Sequence, residues 1–338
     1  MKRIAKGLGL ILVVVLVAAA VYLFGPWGDP PLTSHASPAT SYQDAVSRIA
    51  AVDAAEKDPR IEPYARSTRL LHGSQVTTAV VLFHGYTSNP RQFSLVAHAY
   101  YDAGYNVWAP LAPYHGYVDR LTPDLSHLTT DMLREYSDRS VDIARGLGQH
   151  VIVVGLSGGG ALAEWVLAER PDVEEAIAIS PFLQPIGTPR WEIRPLYRAT
   201  HFFDVGRWWD AQKQAHLGEG DPHNNTYPRT TYRGLAAYMT LGQWATDRIK
   251  RTGQPAAGKL LLVVNEGDKK LDSEYNAVSA RGLAAPERLT IFRIPKSAGL
   301  GHDIVDPWGE NKDRIREDYV WLSRALGIAL PDPVKMRE

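Results

Sequence analysis

The 338-residue chain predicts an α/β fold: a mostly parallel central sheet with helices on both faces, an inserted cap region and an N-terminal transmembrane helix. Three observations predict it. From Ala79 onward, short apolar runs of four to eight residues alternate with longer segments of helical period. The alternation stops once, between Pro181 and about Ala257, and then resumes. Residues 7–24 are uncharged and mostly apolar, behind a basic terminus.

The terminal stretch comes first. Lys2, Arg3 and Lys6 precede Gly7–Phe24, which as a helix spans roughly 27 Å, close to the hydrocarbon thickness of a bilayer. The basic residues belong on the cytoplasmic side, which sends everything after Trp27 to the periplasm or exterior. Ala18-Ala19-Ala20 offers a small-residue cleavage site, and cleavage there would give a secreted protein. Val21–Phe24 continues the apolar run past those alanines, however, and Pro26-Trp27 looks like an interface exit, so an uncleaved anchor is expected over residues 1–27. Residues 28–58 follow as a linker and short helix. Gly28 to about Ser41 is rich in Pro, Ser and Thr and reads as exposed; Tyr42–Asp58 is helical in pattern.

The main domain is expected over 59–338. Its strands are Ala79–Phe83, Tyr105–Ala109, Val151–Val154, Ala176–Ser180, Lys259–Asn265 and Arg288–Pro295. The intervening helices are Asn89–Ala103, Ser126–Leu147, Gly158–Arg170 and about Asp272–Leu283, with a last helix from about Asn311 to Leu326. Buried strands joined by helices require right-handed crossovers, which place helices on both faces of a parallel sheet. The stretch before Ala79 shows no clear strand, so the sheet is expected to lack an outer one there. Residues 181–257 read as a cap inserted over one end of the sheet.

Composition excludes several functions. Lys+Arg and Asp+Glu balance at 37 each, so no global field draws nucleic acid. Cysteine is absent, which rules out disulfides, a cysteine nucleophile, a thiolate metal site and a lipoprotein-type anchor. No His-Glu-x-x-His occurs, and no Lys-Ser/Thr pair follows the glycine-rich turn at 155–159, so zincin and Walker-type chemistry are not expected. No metal or organic cofactor is called for.

The chemistry centres on Gly155-Leu156-Ser157-Gly158-Gly159, directly after an apolar strand and directly before a helical segment. A serine in a sharp strand-to-helix turn needs small residues on both sides, and the turn exposes its oxygen at the helix N-terminus. Ser157 is the candidate nucleophile. Phe83-His84-Gly85-Tyr86 ends an earlier strand; with Gly158, the loop there would supply two backbone N–H groups for an oxyanion, Tyr86 being the natural donor. His84 lies on the wrong loop to act as base and is read as shaping the turn. Of the histidines after Ser157, His201, His216 and His223 fall in the insertion, whereas His302 follows the last strand. Asp268 heads the turn after Lys259–Asn265 and is the candidate acid, with Glu266 and Asp272 as rivals; Asp303 reads as a surface or helix-approach residue.

The His84-Gly85 turn, the Gly155–Gly159 elbow, the Asn265–Asp272 segment and the Gly299–Ile304 loop, in this order, resemble the α/β-hydrolase superfamily. The similarity is greatest to bacterial carboxylesterases and monoacylglycerol-lipase or lysophospholipase-like serine hydrolases, and covers about Ala79 to Leu326. It implies an α/β-hydrolase fold, a triad of Ser157, Asp268 and His302, and an oxyanion hole of Tyr86 and Gly158. One departure is local: many relatives carry Pro-Gly-His-Gly after the next strand, where this chain has Pro113-Tyr114-His115-Gly116.

The expected activity is cleavage of a small apolar or lipid-like carboxylic ester through an acyl-enzyme. An amidase, peptidase, thioesterase or acyltransferase would use the same triad, and a catalytically silent binding module would share the fold. Aromatic residues of the insertion, among them Phe182, Trp191, Tyr197, Trp208, Tyr238 and Trp244, would line an apolar pocket or form the cap's own core. Arg190, Arg194 and Arg198 recur at fours, as an anion site or a solvated helix face.

Overall fold

An unbroken apolar run behind a basic terminus folds as one helix, α1 (Lys2–Phe24). Residues 7–24 are long and apolar enough to cross a membrane by length and composition, and none of that window is buried inside the protein. The computed structural model describes residues 2–25, 31–202, 207–209, 226–309 and 313–333. Pro26 and Trp27, expected as the interface exit, lie outside them, as do His216, His223 and Asn311.

The chain continues through α2 (Tyr42–Ala55), β1 (Thr68–Leu70), β2 (Val76–Phe83), α3 (Ser94–Asp102), β3 (Asn106–Ala109) and α4 (Thr130–Leu147). Next come β4 (Gly148–Leu156), α5 (Gly158–Glu169) and β5 (Glu175–Ile179). Between Pro181 and Ala257 lie α6 (Arg190–Ala199), a two-stranded pair β6 (Arg207–Trp209) and β7 (Arg229–Thr231), α7 (Tyr232–Thr246) and α8 (Arg248–Thr252). The chain then runs through β8 (Lys259–Asn265), α9 (Ser273–Ser279), β9 (Leu289–Ile294) and α10 (Ile315–Leu326).

Seven strands form the sheet in the order β1-β3-β2-β4-β5-β8-β9, all parallel except β1. Alternation along each strand divides the core. Ala79, Val81, Phe83, Val151 and Val153 face the layer holding α4, α5 and α7, while Val80, Leu82, Val154 and Leu156 pack under α3 and α10. Every parallel strand therefore ends at one rim, which gathers the loops after β2, β4, β8 and β9.

Three expectations need correction. An outer strand is present: Thr68–Leu70 pairs antiparallel with Val107–Ala109. Three residues are too few to show a period, and their pairing depends on a neighbour about forty residues away in sequence. Asn89–Ala103 is not one helix but a 3₁₀ turn, Pro90–Phe93, followed by α3, because Asn89 caps the Arg91 N–H and Pro90 opens the turn. The linker is not free from Pro31 on. His35 and Ser37 donate their backbone N–H groups to Asp138 and Asp142 of α4, and Trp165 Nε1 donates to the Leu32 carbonyl.

The insertion segment also holds a long helix that shows no amphipathic stripe. In α7 the residues Ala236, Ala237, Tyr238, Leu241 and Ala245 are buried, because it lies between α4, α5 and α6. Small residues permit that approach: a Cβ at Gly242 would stand 2.4 Å from Leu183 Cδ2 and 3.3 Å from Ala161 Cβ. Arg190 and Arg198 of α6 turn to separate partners. Arg190 pairs with Asp247 at 2.6 Å. Arg198 donates to the Tyr22 and Gly25 carbonyls at 2.8 and 3.0 Å, occupying acceptors that the end of α1 leaves open.

Candidate active site

Ser157 sits between β4 and α5 with φ 56° and ψ −114°, a left-handed backbone that costs a β-carbon-bearing residue about 1–3 kcal/mol. The surroundings enforce it. Ser157 N donates to the Ile179 carbonyl at 2.9 Å, and the Ser157 carbonyl accepts from Phe182 N at 2.8 Å and Ala161 N at 3.1 Å. The glycines around it are required by contact. A Cβ at Gly155 would lie 2.0 Å from the Gly159 carbonyl oxygen, and one at Gly159 would lie 1.9 Å from that of Phe83. The elbow is therefore clamped between its own two arms and the end of β2, with Ser157 partly exposed at the start of α5.

The Tyr86 amide stands beside the elbow, 2.9 Å from where a Gly158 Cβ would be. Among the described residues neither the Tyr86 nor the Gly158 N–H has an intramolecular acceptor. The direction of the Tyr86 N–H is set through its own peptide unit. The Gly85 carbonyl accepts from Ser88 N at 3.0 Å and from His84 Nδ1 at 3.0 Å, and in a trans peptide the N–H points the opposite way. His84 Nε2 accepts from Ala112 N at 3.0 Å, so the proton is on Nδ1. Burial, with His115 close by, pushes His84 down to about 3, so the ring stays neutral and keeps this tautomer. His115, in the Pro113–Gly116 segment after β3, is buried too and pushed down to about 4. Its Nε2 accepts from Thr87 N at 3.2 Å, and Thr87 itself has φ 74°. Both histidines shape the loop that carries Tyr86.

The loops after β8 and β9 meet at the same rim. His302 Nδ1 lies 2.6 Å from Asp268 Oδ2; a carboxylate can only accept, so Nδ1 donates and Nε2 is left as the basic nitrogen. Asp268 Oδ1 accepts from Lys270 N at 2.7 Å and Leu271 N at 3.3 Å, which fixes the rotation of the carboxylate. Burial alone would raise the Asp268 carboxyl. The electrostatic attraction and hydrogen bond of the His302 ring and the two backbone amides outweigh that and hold it below its ordinary value. Asn265, the last residue of β8, ties the loops together, accepting from Gly267 N and donating to the Gly301 carbonyl at 2.6 Å.

The structure thus brings Asp268 to His302, and Tyr86 to Gly158, with Ser157 just past the end of β4, the strand between. Ser157 Oγ makes no hydrogen bond to His302 among the described residues; such bonds commonly tighten only when substrate is bound. The rival acids are otherwise engaged: Glu266 pairs with Arg293 at 3.3 Å, and Asp272 caps α9 through Tyr275 N at 2.9 Å. Asp303 is not a bare surface residue. It accepts from Val305 N, Asp306 N and Gln92 Nε2. Sequence reasoning passed over Gln92 and Asn265, whose partners lie far away along the chain. Among the described residues no group of three His, Asp or Glu side chains could hold a metal ion.

A parallel sheet covered on both faces, with a strained serine between strand and helix and an Asp–His pair at the same rim, is the architecture of the α/β hydrolases. The model of the alpha/beta hydrolase family matches residues 80–317, well over half of the chain, and the protein belongs to that family. Solved structures share its fold. One of LipS and LipT, two metagenome-derived lipolytic enzymes, is 19% identical with a TM-score of 0.55, over 78% of this chain and 99% of that one. A soluble variant of Saccharomyces cerevisiae monoglyceride lipase, in complex with a substrate analog, is 13% identical with a TM-score of 0.53, over 77% and 89%. A Paleococcus ferrophilus monoacylglycerol lipase is 20% identical with a TM-score of 0.51, over 76% and 98%. Comparison with curated protein sequences gives no match.

Proposed function

We propose that the protein is a membrane-anchored serine hydrolase that cleaves carboxylic esters through an acyl-enzyme on Ser157. The observation that carries this reading is the 2.6 Å bond from His302 to a carboxylate held by two backbone amides, on the rim where Ser157 is partly exposed. In the proposed reaction His302 Nε2 takes the Ser157 proton as Oγ attacks the carbonyl carbon, and Asp268 stabilises the resulting imidazolium. The oxyanion collects the Tyr86 and Gly158 N–H groups, each worth about 3–4 kcal/mol in the transition state. His302 then returns the proton to the leaving alcohol, and water releases the acyl group by the same steps in reverse. No metal or organic cofactor enters these steps.

A lipid-like or other small apolar ester fits the lipolytic and monoacylglycerol-lipase relatives named above. It also fits a site bordered by the rings of Tyr86 and Tyr238, whose centroids are 5.3 Å apart. The anchor would leave the catalytic domain in the periplasm or exterior, with residues 181–257 as a cap and 1–27 as the membrane segment. A panel of p-nitrophenyl esters of graded chain length, with a matched amide and thioester, tests the substrate class. Turnover is expected to favour esters, and preference for the amide or thioester would overturn it. Protease protection of a C-terminal tag in spheroplasts tests the topology: digestion from outside is expected, and protection until lysis would reverse it.

A further inference from the structure

The loop that carries Tyr86 and the loop that carries His302 lie 211 residues apart where they touch, and a buried amide side chain bridges them. Gln92 Oε1 accepts from Gly85 N at 2.7 Å, and Gln92 Nε2 donates to Asp303 Oδ2 at 2.7 Å. Asp303 Oδ1 in turn accepts from Val305 N and Asp306 N, both at 3.0 Å, so the carboxylate is built into the turn that begins with His302. Gln92 is buried and sits in the rigid Pro90–Phe93 turn, next to the fully buried Phe93 ring. Its two ends are chemically distinct, since the amide oxygen must face the N–H and the amide nitrogen must face the carboxylate.

We propose that Gln92, through Asp303, is a positioning residue that sets the separation between the oxyanion donor Tyr86 N and the base His302. This rests on the serine-hydrolase reading. Both groups act on one tetrahedral carbon, the first on its oxygen and the second on the attacking and leaving oxygens, so their spacing is a property of the transition state. Loss of the bridge removes the hydrogen-bonded spacer between the Gly85 peptide and the His302 turn, and a misplacement of about 1 Å costs about 10²-fold in rate. Ground-state binding, which depends on neither group being aligned, is left largely alone.

Kinetics of the full-length enzyme on a p-nitrophenyl ester test the bridge. Gln92→Glu and Asp303→Asn alone are expected to lower kcat about 10²-fold with KM within about threefold. The paired variant, Gln92→Glu with Asp303→Asn, reverses the donor and acceptor while keeping one carboxylate and all four bonds, and should recover kcat to within about tenfold of the unmutated enzyme. In Gln92→Glu two carboxylates face each other, so its deficit relative to the unmutated enzyme should shrink as pH falls and one takes a proton. The paired variant should show no such trend. Single variants with kcat within threefold of the unmutated enzyme, or a pair no better than its worse member, would overturn the proposal. If the unmutated enzyme turns over esters, that result strikes the bridge alone; if it turns over none, the serine-hydrolase reading falls and the bridge with it.

Discussion

Replacing Asp268 by Asn should cost about 10⁴-fold in kcat, because the surroundings dictate which way the amide faces. Asp268 Oδ1 accepts two backbone N–H groups, from Lys270 and Leu271. An asparagine that turned its NH2 toward them would lose both bonds, about 2 kcal/mol, and set donors against donors. Its oxygen therefore stays there, and the NH2 takes the place of Oδ2, which stands 2.6 Å from His302 Nδ1 in the native protein. Nδ1 must then accept, the imidazole proton moves to Nε2, and the ring offers the serine a proton instead of taking one. In an unrelated serine hydrolase the same tautomer reversal lowers kcat about 10⁴-fold, which converts to about 5.5 kcal/mol. Initial rates on a p-nitrophenyl ester near pH 7.5 suffice, since the native carboxylate is held ionised well below that pH. A loss under tenfold, or one confined to KM, would refute the reasoning.

Three further outcomes follow from the same contacts. Ser157→Ala should lower ester turnover by roughly 10⁶-fold at unchanged stability, measured by rate assay and thermal melt; retention of most activity would remove Ser157 from the mechanism. Gly159→Ala drives a Cβ into the Phe83 carbonyl, which is backbone and cannot rotate away, so denaturant unfolding should show a loss on the order of 3 kcal/mol or more. A stability within 1 kcal/mol would mean the elbow is looser than described. Glu164 is fully buried with, among the described residues, no hydrogen-bond partner on either oxygen, and burial raises it to about 8. The unfolded chain gives up that proton near its ordinary value while the folded chain retains it, so stability should fall as pH rises from about 5 to about 8. Glu164→Gln should abolish a slope worth on the order of 3 kcal/mol across that window, and superimposable pH–stability curves for the two proteins would contradict the assignment.

The elbow was readable in the sequence because its constraint is local: Gly155 and Gly159 meet within the same turn, and the strand and helix on either side announce themselves by period. Asp268 and His302 were readable as candidates because Asp268 follows the buried strand β8 and His302 follows the edge strand β9 beside it, and a parallel sheet sends such loops to one rim. What stayed hidden depends on partners far along the chain. Helix α7 carries no polar face because its neighbours surround it. Strand β1 is defined only by its bonds to β3. Gln92 looks like any polar residue near a proline until the fold sets Gly85 at one end of its amide and Asp303 at the other. The Pro- and Ser-rich segment after Pro31 showed correctly that it forms neither helix nor strand, yet nothing in its composition shows that Asp138 and Asp142 collect its N–H groups.

Incubating the detergent-solubilised full-length protein with a fluorophosphonate and locating the adduct by peptide mass spectrometry tests the central claim most directly. The account predicts one phosphonylated residue, Ser157, with labelling lost in Ser157→Ala. A folded, ester-cleaving protein that stays unlabelled, or carries the adduct at another residue, would contradict it.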